Sequence, residues 1–470
     1  MEDIWKTDDG VYFGFVSDKT YGPPPSLSPS AAIRYRDDRH LITIGPNGSG
    51  KSRRVLVPNL VELTHWSIVV VDPKGDLAAM TSKHREDRGS KIVRLNPFDV
   101  LKLGSDGFNP LAALEPKDED FPDDAMGLAE ALIRIEGHDP HWSASAQEIV
   151  CALIMYVRIV LGPSGSLSDV RKLLGKSSKD FRDVVLAPAI DYEGKTIPGM
   201  LPVSVIHKCR ELETKASRFA DIGPDNREIS SVMSVALTQT RWMDSRPVTR
   251  EVQREPFDFS RLKQEPTTVY LMLPARRLGT HSTWLRLMIT SILQPLMKDT
   301  RESKVPVLLM LDEFAQLGHL PVIEQSVALM RGFGIKLWAV FQDLTQAKAI
   351  YDKRWESFLG NAGMVQSFAP QDVETAEYLS KRTGQTTNPA TSASNTQDAA
   401  VTLGVNQIPV PLMLPQELRA MDDGYSVIFS HKAKGTVRAY FPYPWDLPHL
   451  KDICALDPSY PDANLRRRVR

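Results

Sequence analysis

Apolar residues in this chain gather into short runs that stop abruptly at polar turns. HLITIG, SIVVVD and KIVRLN lie before Pro110, and TTVYLMLP, VPVLLMLD, KLWAVFQ, MVQSFAP and YSVIFSH follow from Thr267 onward. Each run is short and apolar, most are rich in β-branched residues, and turn or helix signals follow nearly all of them. Strands that alternate with helical stretches predict an α/β fold built on a parallel sheet.

Between these two groups, from Pro110 to Thr240, the strand signal disappears. Ser145 to Gly162 has a helix pattern, with Ser145 and Glu148 spaced as a capping box and Gly162-Pro163 as a stop. Its middle, IVCALIMYVRIVL, is apolar on nearly every side and predicts a buried helix. Amphipathic stretches occur at Leu128–Ile135, Lys208–Ala220 and Ser230–Trp242. The pattern predicts an all-α domain, residues 110–240, inserted into an α/β domain made of residues 1–109 and 241–457. Residues 458–470 form a short basic tail. GQTTNPATSASNTQDA, Gly384 to Ala399, is polar and is expected to be a mobile surface loop. There is no internal repeat.

Composition narrows the partners. With 470 residues, 42% hydrophobic and 24% charged, the chain has enough apolar mass for two or three domains of ordinary soluble type. A formal net charge of −1 gives no overall basic field, so any nucleic-acid contact must come from a local patch. Cys151, Cys209 and Cys454 lie far apart and form no disulfide or metal pattern, which suits a reducing cytoplasm. The longest apolar run, Ile149–Leu161, is interrupted by Arg158 and is shorter than the roughly 18 residues of a membrane span. The acidic start, MEDIWKTDDG, does not read as a signal peptide. His138 and His141 have H-x-x-H spacing, but no cysteine or carboxylate pattern accompanies them to suggest a metal.

The chemistry concentrates at the ends of the apolar runs. GPNGSGKS, formed by Gly45, Pro46, Asn47, Gly48, Ser49, Gly50, Lys51 and Ser52, follows the strand-like LITI and fits the phosphate-loop pattern G-x-x-x-x-G-K-[ST]. The glycines let backbone N–H groups close around phosphate oxygens. Lys51 would neutralise the β- and γ-phosphates, and Ser52 would offer its hydroxyl to Mg²⁺. A dinucleotide-binding reading fails because the third glycine of G-x-G-x-x-G is missing. Pro58 falls inside the helix expected after the loop and should kink or end it.

Two runs end in aspartate. Asp312 follows five apolar residues and precedes Glu313. That pair suits ATP hydrolysis, with one carboxylate holding Mg²⁺ and the other polarising the attacking water. Asp72, in DPKGD, has no adjacent base. It begins 21 residues after Lys51, which places it on the same sheet edge as the phosphate loop. Its neighbour Lys74 would either reach a phosphate or a neighbouring subunit, or belong to a plain tight turn. Gln342 ends the run KLWAVF, where a glutamine would contact the γ-phosphate or simply be a polar strand end. Arg331, in LMRGFG, is either a surface arginine or a finger for a neighbour's ATP site.

Together GPNGSGKS, VVVDPKGDLA, LMLDEFAQLGHLP, RGFGIKLWAVFQD and ETAEYLSKRTG resemble the type IV coupling proteins, the TraG-like and TraD-like ATPases of conjugation and type IV secretion. The resemblance runs from about Gly14 to Phe441. It implies a RecA-like nucleotide-binding domain with an inserted all-α domain, binding ATP and Mg²⁺. It also implies a ring, usually hexameric, at the cytoplasmic face of the bacterial inner membrane. Such a ring recruits relaxase-bound, single-stranded DNA, or relaxosome and effector proteins, and delivers them to the secretion channel. Lys51 and Ser52 match the family's phosphate-loop lysine and hydroxyl. Asp312 and Glu313 match its metal-binding and catalytic acids, Arg331 its trans-acting arginine, and Gln342 its strand-end glutamine. Two features depart from the family: the two amino-terminal membrane helices and the acidic carboxyl-terminal extension have no counterpart in this sequence. Against the motor reading stand a nucleotide-regulated docking platform and a double-stranded DNA pump of the chromosome-segregation type.

Overall fold

The structure is a computed structural model. It describes residues 10–25, 27, 32–135, 140–176, 227–254, 257–395, 401–433, 435–451, 453–454 and 457–458, with residues 227–230, 388–395 and 401–407 described by backbone alone. His138, Cys209, the Lys208–Ala220 stretch and the basic tail lie outside the described residues.

Eleven strands build one sheet. They are β1 (Val11–Val16), β2 (Ala32–Tyr35), β3 (His40–Ile44), β4 (Ser67–Val71), β5 (Lys91–Leu95), β6 (Thr267–Leu271), β7 (Val307–Leu311), β8 (Ile335–Phe341) and β9 (Ala362–Phe368), followed after a separate hairpin, β10 (Gln385–Asn395) and β11 (Val401–Pro411), by β12 (Tyr425–Ser430) and β13 (Val437–Tyr440). Their spatial order is β2-β1-β13-β12-β9-β3-β8-β7-β4-β6-β5. From β9 to β5 every pairing is parallel. The strands beyond β9 add on antiparallel. The run β9-β3-β8-β7-β4 is the RecA-like arrangement. Its crossover from β3 to β4 passes over β8 and β7, so the two strands share an edge without being neighbours.

Both faces of the parallel region are covered, which is why its strands read as unbroken apolar runs. Alternate residues supply two cores. Ile68, Val70, Leu308, Met310, Trp338 and Val340 pack into one with the helical segments 51–62 and 76–87. Val69, Val71, Leu309, Leu311, Leu337 and Phe341 pack into the other with helix Ala275–Lys298 and the helices between β5 and β6. A polar chain crosses four strands inside the sheet. Trp338 Nε1 donates to Thr43 Oγ1 (2.9 Å), Thr43 Oγ1 donates to Gln366 Oε1 (3.1 Å), and Gln366 Nε2 donates to Ser426 Oγ (3.4 Å). Because each buried polar atom finds its partner in only one register, the chain fixes how β8, β3, β9 and β12 align.

Three local expectations are corrected. Helix His141–Val160 starts four residues before Ser145, so Ser145 and Glu148 lie within it and form no capping box. Pro140, which cannot continue a preceding helix, marks its start, and a capping box instead forms downstream between Ser166 and Asp169. The polar stretch 384–399 is in large part strand, because β10 pairs residue for residue with β11 over 11 positions. Its Thr-rich half has moderate β-propensity, and the β-branched partner VTLGV lies beyond any local window. After the phosphate loop the chain does not end its helix at Pro58. Lys51–Leu56 winds as a π-helix and continues into Val57–Glu62, the wide turn accommodating the missing proline N–H.

The expected buried helix is present. His141–Val160 is long and apolar enough to cross a membrane, yet most of it is buried inside the protein.

Arg85, fully buried, ties this layer together. Its guanidinium donates to the carbonyls of Leu60 (2.7 Å), Leu63 (3.0 Å) and Trp66 (2.7 Å) and to Thr268 Oγ1. It thereby ends the phosphate-loop helix and anchors it to β6. Substituting Arg85→Met should leave these carbonyls without their donor and destabilise the protein by about 3 kcal/mol, read as a lower urea midpoint.

Candidate functional site

A parallel sheet gathers its strand carboxyl ends on one edge. Along that edge β3 delivers the phosphate loop, β8 delivers Gln342, β7 delivers Asp312 and Glu313, and β4 delivers Asp72. The sequence-predicted residues therefore converge, with Gln342 between the loop and the acid pair.

Contacts confirm the convergence. Ser52 Oγ donates to Asp312 Oδ2 at 2.9 Å, and Gln342 Nε2 donates to Glu313 Oε2 at 2.9 Å. The Lys51 ammonium lies folded into the loop, donating to the carbonyls of Gly45 and Pro46. Gly50 is left-handed (φ 82°), and a Cβ there would lie 2.7 Å from Arg54 Cδ, so the turn into the helix requires glycine. The helix that starts at Lys51 follows the loop directly, and its Arg54 N–H donates to the Gly50 carbonyl (2.7 Å). Ser49 Oγ, within the loop, is buried without a hydrogen-bond partner.

The electrostatics follow from burial. Lys51 and Asp312 are nearly inaccessible to water. Burial lowers the Lys51 ammonium from its ordinary value, Asp312 and Glu313 oppose that shift, and Lys74 adds to it. Burial, together with the charge of Glu313, raises the Asp312 carboxyl, while Ser52 and Lys51 oppose the rise. Glu313 itself sits at φ 56°, ψ 43°, a left-handed backbone that costs a non-glycine residue roughly 1–3 kcal/mol. Its N–H donates to Asp312 Oδ1 (3.1 Å), so the strained turn holds both carboxylates at the strand end.

Asp72 sits at the same edge in a different setting. It is buried, and its Oδ2 accepts the Ala78 N–H (2.8 Å) in the first turn of helix Asp76–Asp87. Burial, with a contribution from Asp76 and Asp312, pushes its carboxyl up to about 7. Lys74 is exposed at the tip of that turn. Arg331 is not part of this edge. It lies in the turn Met330–Phe333 before β8, and its Nε pairs with Asp38 Oδ2 (2.7 Å) ahead of β3. The seven residues of β8 separate it from its own phosphate loop by roughly 20 Å.

Sequence reasoning missed two supports. Arg54, directly after the loop, donates to the Phe441 carbonyl (2.6 Å) and to Asp423 (2.5 Å) and stacks over Tyr443 (3.8 Å). It fixes the loop to the antiparallel half of the sheet. The signal was its place beside Lys51, but its partners lie nearly 400 positions away. The second support is Glu251. It accepts the Asn96 N–H (3.0 Å) and the Ser105 hydroxyl (2.7 Å), pinning both ends of a loop whose Val100 and Leu101 pack against Gly75 of the DPKGD turn.

Burial pushes the Glu251 carboxyl up to about 7. Between about pH 4.5 and 7 the unfolded chain ionises this group while the folded one keeps its proton. Its contribution to stability is therefore lost as pH rises through that window and then levels off. Glu251→Gln should show a shallower loss in urea melts taken from pH 4.5 to 7.5.

Residues 14–440 match the family model described as Type IV secretory system Conjugative DNA transfer. The conjugal transfer protein TraG of Escherichia coli is 27% identical over 81% of this chain and 59% of its own length. Protein VirD4 of Rhizobium rhizogenes is 25% identical over 88% of this chain and 59% of its own. The chain thus spans about six tenths of the length of these relatives. Among solved structures, the bacterial conjugative coupling protein TrwBdeltaN70, in its trigonal form with sulphate, superposes with a TM-score of 0.65 at 14% identity, covering 87% of this chain and 88% of that one. That likeness shows the RecA-like fold, and the family match places the chain: it belongs to the Type IV secretory system conjugative DNA transfer family.

Proposed function

We propose that this family member is an ATP-driven coupling protein that delivers relaxase-bound single-stranded DNA, or protein substrates, to a type IV secretion channel. It would work as a ring, most simply a hexamer, at the cytoplasmic face of the inner membrane. Residues 1–109 and 241–457 would form the motor domain, residues 110–240 the inserted helical domain, and residues 458–470 a basic tail. One observation carries this reading. The phosphate loop, the strand-end glutamine and the carboxylate pair stand on three adjacent strands and touch through Ser52–Asp312 and Gln342–Glu313.

The residues fit Mg²⁺ and ATP. Ser52 and Asp312 present a hydroxyl and a carboxylate side by side, the donor set a hard divalent cation takes. The unpartnered Ser49 hydroxyl and the helix that starts at Lys51 suit phosphate oxygens. The related coupling protein TrwB has been solved with ADP and Mg²⁺ and with a non-hydrolysable ATP analogue. Bound Mg²⁺ would be held by Ser52 and Asp312 and would supply charge neutralisation on the phosphates. Lys51 would swing from the loop carbonyls to the β- and γ-phosphates. Glu313 would take the proton of the attacking water as its oxygen bonds to the γ-phosphorus and the β,γ-bridging bond breaks. Gln342, held to Glu313 and lying beside the loop, would orient that water and register when the γ-phosphate leaves. Asp72 would set the turn that carries Lys74, whose charge is already felt by Lys51.

The test is ATP turnover with and without single-stranded DNA under assembling conditions. Wild-type turnover should exceed that of Lys51→Ala and rise with DNA; equal rates would sink the motor reading. Glu313→Gln should bind a fluorescent ATP analogue normally and lose about 10²–10⁴-fold in kcat.

Arg331 would act on a neighbouring copy's nucleotide, because its own site is out of reach. Arg331→Ala should bind ATP and fail to hydrolyse it. Mixing it with Lys51→Ala chains should restore turnover, since one supplies the nucleotide site and the other the arginine. A flat rate across all mixing ratios would count against the finger.

A further inference from the structure

We propose that Asp38 is the positioning residue for Arg331, presenting its guanidinium to the neighbouring copy; this rests on the trans-acting reading of Arg331 above. Asp38 is Arg331's ion-pair partner among the described residues, and the closest approach is at Nε (2.7 Å). Nε is the guanidinium nitrogen nearest the stem. The terminal amino groups of the fork, the ones that grip a phosphate bidentately, lie beyond it. A carboxylate that binds an arginine from behind sets its direction without competing for the end that works.

The rest of the amino edge is built to hold this pair. His40, two residues after Asp38, accepts the Leu337 N–H on Nδ1 (3.0 Å) and hydrogen-bonds the Val327 carbonyl through Nε2. The strand that follows Asp38 is thereby tied to the segments on both sides of Arg331. The Arg331 turn closes with the Gly334 N–H on the Arg331 carbonyl (3.1 Å), with Gly334 left-handed at φ 73°. Asp37, next to Asp38, pairs with Lys432 and His431, which holds the Asp37–Asp38 turn against the β12–β13 connection. Two residues before Arg331, Leu329 is 62% exposed, among the most exposed large apolar side chains of the described residues. An oriented arginine beside an exposed leucine, at the edge opposite the phosphate loop, suits contact with a second copy of this chain.

Both side chains of the pair are more than half exposed, so the pair itself is weak and its effect is on orientation. The test uses the mixing assay with full chains. Lys51→Ala chains donate the arginine, and Arg331→Ala chains receive it. Asp38→Asn added to the donating chain should lower the rescued kcat about three- to five-fold. KM for ATP should not move, and Asp38→Glu should recover most of the rate. Asp38→Asn added to the receiving chain should leave the rescued kcat as it was, because that chain's Arg331 is already gone. Equal effects in either chain, or none in the donor while rescue itself is strong, would overturn the role of Asp38 and leave the finger standing. No rescue with Asp38 intact would overturn the finger and Asp38's role with it.

Discussion

Everything at the phosphate edge depends on β8 lying between β3 and β7. Neighbouring strands stand about 4.8 Å apart, so two intervals place the phosphate loop and the acid pair roughly 10 Å from one another. That is a gap the side chains of Ser52 and Asp312 close from its two sides, at 2.9 Å. The middle strand ends in Gln342, which therefore cannot avoid both neighbours. The polar chain from Trp338 through Thr43 and Gln366 to Ser426 guards this order by making any other alignment of β8, β3 and β9 leave buried polar atoms unpaired.

The same edge is costly. It collects Lys51, Asp312 and Asp72 out of water and holds Glu313 in a left-handed backbone. In a low-dielectric setting such charges act strongly on one another, and the opposite shifts of Lys51 and Asp312 come chiefly from burial. The structure offsets the cost with rigid anchors placed behind the site. Arg85 ends the phosphate-loop helix, Arg54 ties it to the antiparallel strands, and Glu251 braces the loop behind the DPKGD turn. None of the three belongs to the proposed reacting groups, yet each fixes an element that carries one.

How much of this was legible in the chain depended on how local the cause was. The central strands and the buried helix His141–Val160 follow from apolar runs a dozen residues wide, and the structure places them there. The convergence of Lys51, Asp312 and Gln342 was also readable, because a parallel sheet puts all strand carboxyl ends on one edge. Elements whose cause is long-range were not readable. Strands β1 and β13 pair across more than 400 positions, and β10 becomes a strand only because β11 is there to receive it. Ser145 and Glu148 had the right spacing for a cap, but Pro140 started the helix first. Asp72 was placed on the right edge but without a role, and its carboxylate takes up a backbone N–H of the following helix, a contact that neither DPKGD nor its spacing distinguishes.

The two edges of the sheet divide the proposed chemistry between them. One holds the nucleotide loop and both acids; the other holds Arg331 and Asp38, with a seven-residue strand in between. A single chain with complementary halves on opposite edges cannot bring them together by any motion short of unfolding β8. Two chains can, if the amino edge of one meets the carboxyl edge of the next. That contact is heterologous: each copy uses one surface to give and another to receive. Repeated around an axis, it closes into a ring or runs on as a filament. On the proposed reading, then, assembly is part of the active site itself. A site completed only by its neighbour hydrolyses ATP only in the ring, and each turnover is sensed at an interface between copies.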